Sequence, residues 1–394
     1  MKILYLSFDS GISYWGTKGA SIHIREFTKA LRQSGHQVTT MVARMGEEKK
    51  VRDVHELPSV EADFFHGEEN ATPVLSEAKA FARNFGLKKL LKKLPVKKFN
   101  LVYERYSLFG VAGLSWAREH KLPFVLEVNA PLLEEAKTHR QLALEPLAKS
   151  VEEYLFVQAD HIVTVSEAVR DYVCSVARRT TVSVVPNGVD VKPFLHSAST
   201  NDAGRRKKEF RVGFVGSLKP WHGLEYLLEA FRRLPENENF RLVIVGEGPL
   251  GEQLKKEAAR LGLKEKVDFT GAVPYEKIPA LLKSLDALAA PYPKINGFYF
   301  SPLKIFEYMA AGKPIVASRI GQVAQILENE KTALLVSPEN PDELAAALRR
   351  LKSEHRLAKR LGLEAQKTAR EKHTWKERLK IIEPIFRSLA VKKK

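Results

Sequence analysis

The chain has 394 residues, 44% of them hydrophobic, and carries 64 Lys and Arg against 47 Asp and Glu, a formal net charge of +17. That length and apolar content exclude a disordered chain and support two or three domains, while the charge favours phosphate, anionic lipid or nucleic acid without choosing among them. Cys174 is the single cysteine, which excludes an intrachain disulfide and fits a reducing compartment.

In chain order, MKILYLSF opens with an apolar run too short for a signal-peptide core and passes into Asp9, Ser10 and Gly11, so it reads as a buried first strand. No apolar run approaches the ~18 residues of a membrane span. Further strands are predicted over residues 37–43, 101–106, 123–129 and 161–166, separated by amphipathic segments such as ASIHIREFTKALRQSG. Strands alternating with helices indicate parallel sheets covered by helices.

Between the second and third of these strands, FGLKKLLKKLPVKKF (85–99) holds Lys88, Lys89, Lys92, Lys93, Lys97 and Lys98 without one acid. Leu87, Leu90, Leu91 and Leu94 recur at helical spacing, and Pro95 ends the pattern. Two readings stand: a basic interfacial helix on an anionic membrane, or a surface helix with its leucines in the core. The expected location is accordingly cytoplasmic, at the inner membrane face if the first reading holds.

The polar stretch HSASTNDAGRRKKEF (196–210) reads as a linker between an N-terminal domain over 1–195 and a second domain over 211–370. The second domain restarts the pattern, with strands predicted over 210–218, 241–248, 266–271, 286–292, 313–318 and 332–337. The last helical stretch, within 371–394, contains Pro384 as an expected kink. Ligands lie outside the carboxyl ends of strands in open parallel sheets, so two such domains facing across a cleft would suit a two-substrate reaction.

Several chemistries are missing from the sequence. GEGPLG (246–251) has G-x-G-x-x-G spacing but is read as a turn-rich strand end and not as a dinucleotide fingerprint, and there is no Walker A sequence, no H-E-x-x-H pair, no Cys/His cluster and no Asp-x-Asp pair. Phosphate charge is then expected to meet helix N-termini, Lys, Arg and His, with no metal ligands assigned. The segment YFSPLKIFEYMAAGKPIVAS (299–318) sharpens this. Ser301 is a predicted N-cap and Pro302 the first helical residue, with Gly312 and Pro314 as stop. Lys304 then falls in the first turn, where the backbone favours an anion, and Glu307 shares its face, placed to accept two hydrogen bonds from a ribose diol.

Taken in order, GTKGASIHIREFTKALRQSGHQV, YERYSLFGVAG, PFVLEVNAPLLEE, ADHIVTVSEAV, VVPNGVD, VGFVGSLKPWHGLEYLLEAF, VIVGEGP and SPLKIFEYMAAGKPIVAS resemble the family 4 glycosyltransferases of the GT-B fold. The resemblance implies two Rossmann-like domains across a cleft, an acceptor side in the first half and a nucleotide-sugar donor held mainly by the second. It also implies transfer with retention and without a divalent metal, and a final helix crossing back to the first domain. By position, Glu307 matches the second Glu of the family's Glu-x7-Glu motif, which binds the nucleotide ribose. Tyr299 stands where the first Glu is usual, so backbone groups at Ser301, Pro302 and Leu303 are assigned to the donor sugar instead.

Ser217 and His222 replace the family's usual Arg and Lys, which leaves Lys219, His222 and Lys304 to neutralise the diphosphate. Gly246 and Val273 match positions near the base. In the first half, Lys18, Gly19, Ala20 and Ser21 lead into a helix N-terminus that a phosphate could approach. Arg105 and Glu127 lie in apolar strands and should face the cleft or pair with each other. Asn129, at a strand end, is assigned to the donor sugar or acceptor ahead of His23.

The expected function is a retaining hexosyltransferase without a cofactor. Its donor would be a UDP-, GDP- or ADP-sugar and its acceptor a glycan, lipid or small molecule. A nucleotide-sugar epimerase or hydrolase is the nearest alternative. A basic membrane- or nucleic-acid-binding protein is the alternative of another class, and nucleic acid is not expected, because aromatic residues are not interleaved with the basic ones.

Overall fold

Apolar runs rich in Val, Ile, Leu and aromatic residues become strands. In the computed structural model, which describes residues 1–46, 51–56, 72–178, 181–196 and 209–391, they form two parallel sheets. The strands are β1 Lys2–Ser7, β2 Gln37–Val42, β3 Val54–Glu56, β4 Leu101–Arg105, β5 Phe124–Val128, β6 His161–Thr164 and β7 Val182–Val184, then β8 Phe210–Val215, β9 Phe240–Val245, β10 Val267–Gly271, β11 Ala287–Ala290, β12 Ile315–Ser318 and β13 Leu334–Val336.

Among the described residues the first sheet has seven strands in the order β3-β2-β1-β4-β5-β6-β7, and the second has six in the order β10-β9-β8-β11-β12-β13. Ile3 of β1 lies opposite Val38 of β2 on one side and Leu101 of β4 on the other. Val212 of β8 lies between Leu242 of β9 and Ala287 of β11 in the same way. Each sheet is therefore doubly wound, with its strand order reversing at the first strand of the half. The α/β class and the Rossmann-like halves are as the sequence predicts. The strands β3 (Val-His-Glu) and β7 (Val-Ser-Val) are absent from the prediction, because three residues interrupted by a polar side chain show neither a full alternation nor the continuous apolar run that marks the equally short β13.

In the second sheet the alternation of side chains supplies two cores, Leu242 and Ile244 on one face, Val243 and Val245 on the other. The first sheet is buried throughout β5, as strands covered on both faces require.

The chain divides into two units, Met1–Gly16 with Ala20–Pro186 and Arg378–Lys394, and Thr17–Gly19 with Asn187–Glu377. The helix Trp375–Val391 contains Pro384. Phe386 meets the Tyr103 ring at 5.9 Å, and Glu383 lies 3.3 Å from His36, so this stretch packs into the first unit. Most of the linker assigned to 196–210 lies outside the described residues.

The lysine-rich stretch is the end of a longer helix, Pro73–Leu91, followed by a turn at Val96–Lys98. The helix stops four residues before Pro95, and Leu87 and Leu91 enter the core. The lysines at 89, 92, 93, 97 and 98 are exposed, and so is Phe85, at 67%.

Candidate active site

At the switch point of the second sheet, the loops after β8 and β11 meet the helix Leu303–Ala311. Three tight contacts shape this corner. Gly216 and Gly246 have φ of +150° and +133°, and a Cβ on Gly246 would stand 2.0 Å from the Gly216 carbonyl oxygen. A Cβ on Gly216 would stand 2.6 Å from Lys304 Nζ, so glycine is what admits the lysine. The Tyr308 hydroxyl accepts the Val215 N–H at 2.8 Å and ties the helix to the end of β8.

Lys304 is 9% exposed, its Nζ has no hydrogen-bond partner, and it lies 3.9 Å from the centre of the Phe214 ring and 5.8 Å from that of Tyr292. Burial lowers its pKa from 10.5 to about 7, although Glu307 on the same helix acts to raise it. Glu307 is itself 6% exposed. The helix start differs from the prediction: the N-cap is Pro302, in an extended conformation, and the first helical residue is Leu303. Ser301 does not cap, because its hydroxyl oxygen accepts the Asn187 N–H. Lys304 is thereby the second helical residue, still within the turn whose N–H groups lack acceptors in the helix.

His222 is held toward its neutral form. Burial pushes its pKa well down, Lys304 and Lys219 push the same way, and its Nδ1–H donates to the Ser217 carbonyl. Its ring lies 5.6 Å from Phe214 and 6.0 Å from Tyr292, closing an aromatic box around the lysine. Lys219 extends over Trp221 at 5.4 Å, and Trp221 lies parallel to Phe300, beside Tyr299. Gly246 donates its N–H to the Gly271 carbonyl at 2.8 Å, while Val273 packs on the core as a partly buried residue.

In the first unit, Glu127 is an internal ion-pair centre. Its Oε1 is 2.9 Å from His23 Nε2 and its Oε2 is 3.9 Å from Arg105. Burial raises the carboxyl, but His23 and Arg105 outweigh it and leave the pKa below the ordinary value. Of the two roles predicted for Arg105 and Glu127, the structure shows the mutual pairing, and His23, ranked behind Asn129, is Glu127's nearest partner. Asn129 is half-buried, with Oδ1 free of hydrogen bonds. Gly19 opens the helix Gly19–Gln33, Ala20 follows, and Ser21 is fully buried with an unpartnered hydroxyl. Among the described residues no group of three or more His, Cys, Asp or Glu is placed to hold a metal ion.

In the sequence Phe214 and Tyr292 look like ordinary core aromatics, and Asn187 looks like part of a turn. Only Gly216, at a strand end in FVGSL, carried a visible signal.

The family model for glycosyltransferase family 4 matches residues 17–192, and that for glycosyl transferases group 1 matches residues 197–368. The chain belongs to the family 4 glycosyltransferases. Among this glycosyltransferase's curated relatives is an uncharacterised glycosyltransferase of Methanocaldococcus jannaschii, 26% identical over 91% of each chain. Another is a 2-deoxystreptamine glucosyltransferase of Streptomyces kanamyceticus, 28% identical over 52% of this chain and 54% of the relative. Similar solved structures include sucrose-phosphate synthase of Thermosynechococcus elongatus, with a TM-score of 0.79 at 19% identity over 99% of both chains. Anabaena HepE in complex with UDP-glucose has a TM-score of 0.73 at 20% identity over 98% of this chain and 100% of its own. These likenesses place the fold with the GT-B glycosyltransferases.

Proposed function

We propose that this glycosyltransferase moves a hexose-type sugar, with retention and without a divalent metal, from a nucleotide-diphosphate sugar to a hydroxyl of a glycan, lipid or small-molecule acceptor. The observation that carries this reading is Lys304: a nearly buried amine with no hydrogen-bond partner, at a helix start and beside the switch point of the second sheet. A diphosphate there gives the amine its counter-charge and meets the positive end of the helix dipole. Glu307, one turn on, accepts from the ribose diol. HepE, with the same fold, was solved with UDP-glucose, which supports a nucleotide-sugar donor.

As the bond from sugar to phosphate breaks, negative charge grows on the departing diphosphate. Lys304 and Lys219, fixed in or beside an aromatic setting, stabilise that charge more than they would in water. His222, being neutral, offers the lone pair at Nε2 and no charge. Retention follows if the acceptor hydroxyl approaches on the leaving-group side and gives its proton to the leaving phosphate. In the first unit, taken by itself, Asn129 Oδ1 is free to accept from an acceptor hydroxyl.

A thermal-shift screen against UDP, GDP and ADP tests the donor reading, since a ligand bound only by the native state raises its stability. Product anomeric configuration by NMR tests retention, and unchanged turnover in EDTA tests metal independence. Wild-type turnover in both Lys304→Ala and Glu307→Ala would end the assignment.

The lysines of 85–99 with exposed Phe85 favour an anionic bilayer as the acceptor's location at the cytoplasmic membrane face. With Leu87 and Leu91 in the core, this rests on the cations and Phe85. Unaltered sedimentation of a Lys89→Glu, Lys92→Glu, Lys93→Glu variant with phosphatidylglycerol vesicles would remove it.

A further inference from the structure

We propose that Asn187 is a positioning residue for the donor sugar, acting through the Ser301–Leu303 backbone. The inference rests on the donor reading above and adds a residue that the Lys304–Glu307 argument does not use. Asn187 donates its backbone N–H to Ser301 Oγ at 3.0 Å and its Nδ2–H to the Ser301 carbonyl oxygen at 2.5 Å. Both residues are 8% exposed, so water does not compete for either bond.

The consequence lies at the helix start. A serine before a helix ordinarily turns its oxygen back to accept a first-turn N–H. Here that oxygen is occupied by Asn187, and the N-cap is Pro302, which makes no side-chain cap. The first-turn N–H groups of Leu303 and Lys304 are thus left for another acceptor. The turn bearing Asn187 is held from its other side as well. Val189 N–H donates to the His373 carbonyl at 3.0 Å, and a Cβ on Gly188 would meet the backbone N of Trp375 at 2.8 Å. Asn187 therefore fixes the Ser301 segment against a turn that cannot yield, in the place where the missing Glu at Tyr299 leaves the backbone to orient the sugar.

The test compares Asn187→Ala, Asn187→Asp and the wild type for UDP affinity, for kcat and KM with UDP-glucose as probe, and for Tm. Asp is nearly isosteric but sets a carboxylate against the Ser301 carbonyl, so a packing role would leave it close to wild type. The expected result is UDP affinity within threefold of wild type in both variants. Turnover should fall at least tenfold in Asn187→Ala and further in Asn187→Asp. Turnover of folded Asn187→Asp within twofold of wild type would overturn the proposal, as would a UDP affinity that falls in step with turnover in both variants. A wild type that binds none of UDP, GDP and ADP would overturn the donor reading first and this inference with it.

Discussion

Lys304 Nζ stands 3.9 Å from the centre of the Phe214 ring, buried and without a hydrogen-bond partner. A cation held so close to an aromatic face gains about 2 kcal/mol when desolvated, less than burial of the charge costs, and the fall of its pKa to about 7 expresses that balance. The site thus keeps a group that the fold alone would not choose.

Lys304→Met should therefore act in opposite directions on stability and on function. The lysine's folded pKa lies below its unfolded value, so the unfolded chain binds more protons between about pH 7 and 10.5. Its cost to stability is full below pH 7 and disappears above 10.5, with an upper bound of roughly 4 to 5 kcal/mol at neutral pH. Calorimetry at pH 7 should show a higher Tm for the methionine variant, while nucleotide affinity falls more than tenfold.

Nucleotide affinity should depend on pH with the sign that Lys304 sets. Above about pH 7 the amine is uncharged, and a diphosphate must bring a proton with it. Titration calorimetry from pH 6.5 to 9 should show Kd rising, by up to about tenfold per pH unit, with the measured enthalpy varying with the buffer. His222 adds nothing to this slope, since its ring is neutral throughout. A flat profile would separate Lys304 from the phosphate.

Gly216→Ala should weaken nucleotide binding and the fold together. At φ +150° an alanine is strained, at a cost of about 1 to 3 kcal/mol, and its Cβ would displace the lysine end that now lies 2.6 Å away. Urea unfolding and nucleotide titration measure the two effects on one sample.

In the first unit, Glu127→Ala leaves His23 and Arg105 facing a site without its charge, and should cost roughly 3 to 5 kcal/mol. Because the carboxyl's folded pKa is depressed, its contribution to stability is present above the ordinary carboxylate range and is lost as pH falls through the lowered value. Wild type and variant should differ most in Tm at neutral pH, and the difference should narrow as pH falls through the lowered pKa.

Much of this protein was legible in the order of its residues. The alternation of apolar runs with amphipathic stretches specified two parallel sheets, because strands buried on both faces need continuous apolar side chains and crossover helices need a stripe. Lys304 and Glu307 were legible as a pair, because the helical period is local. Local rules failed where the partner is remote. Ser301 has every mark of an N-cap, yet its oxygen accepts from a residue 114 positions away, and no propensity reports that competition. His222 looks like a cation until Lys304 and the buried aromatics are brought against it.

By itself the sequence determined the two α/β halves and the residue types stationed at their strand ends, since periodicity and residue type act over a few positions. Only the tertiary structure decided which of those residues are charged and which backbone groups are left unsatisfied. Burial, the removal of water and the approach of a second element to within hydrogen-bond reach arise after the chain has folded. That is why the lysine is poised near neutrality, the histidine is uncharged, and the helix start is left open by an asparagine from another turn.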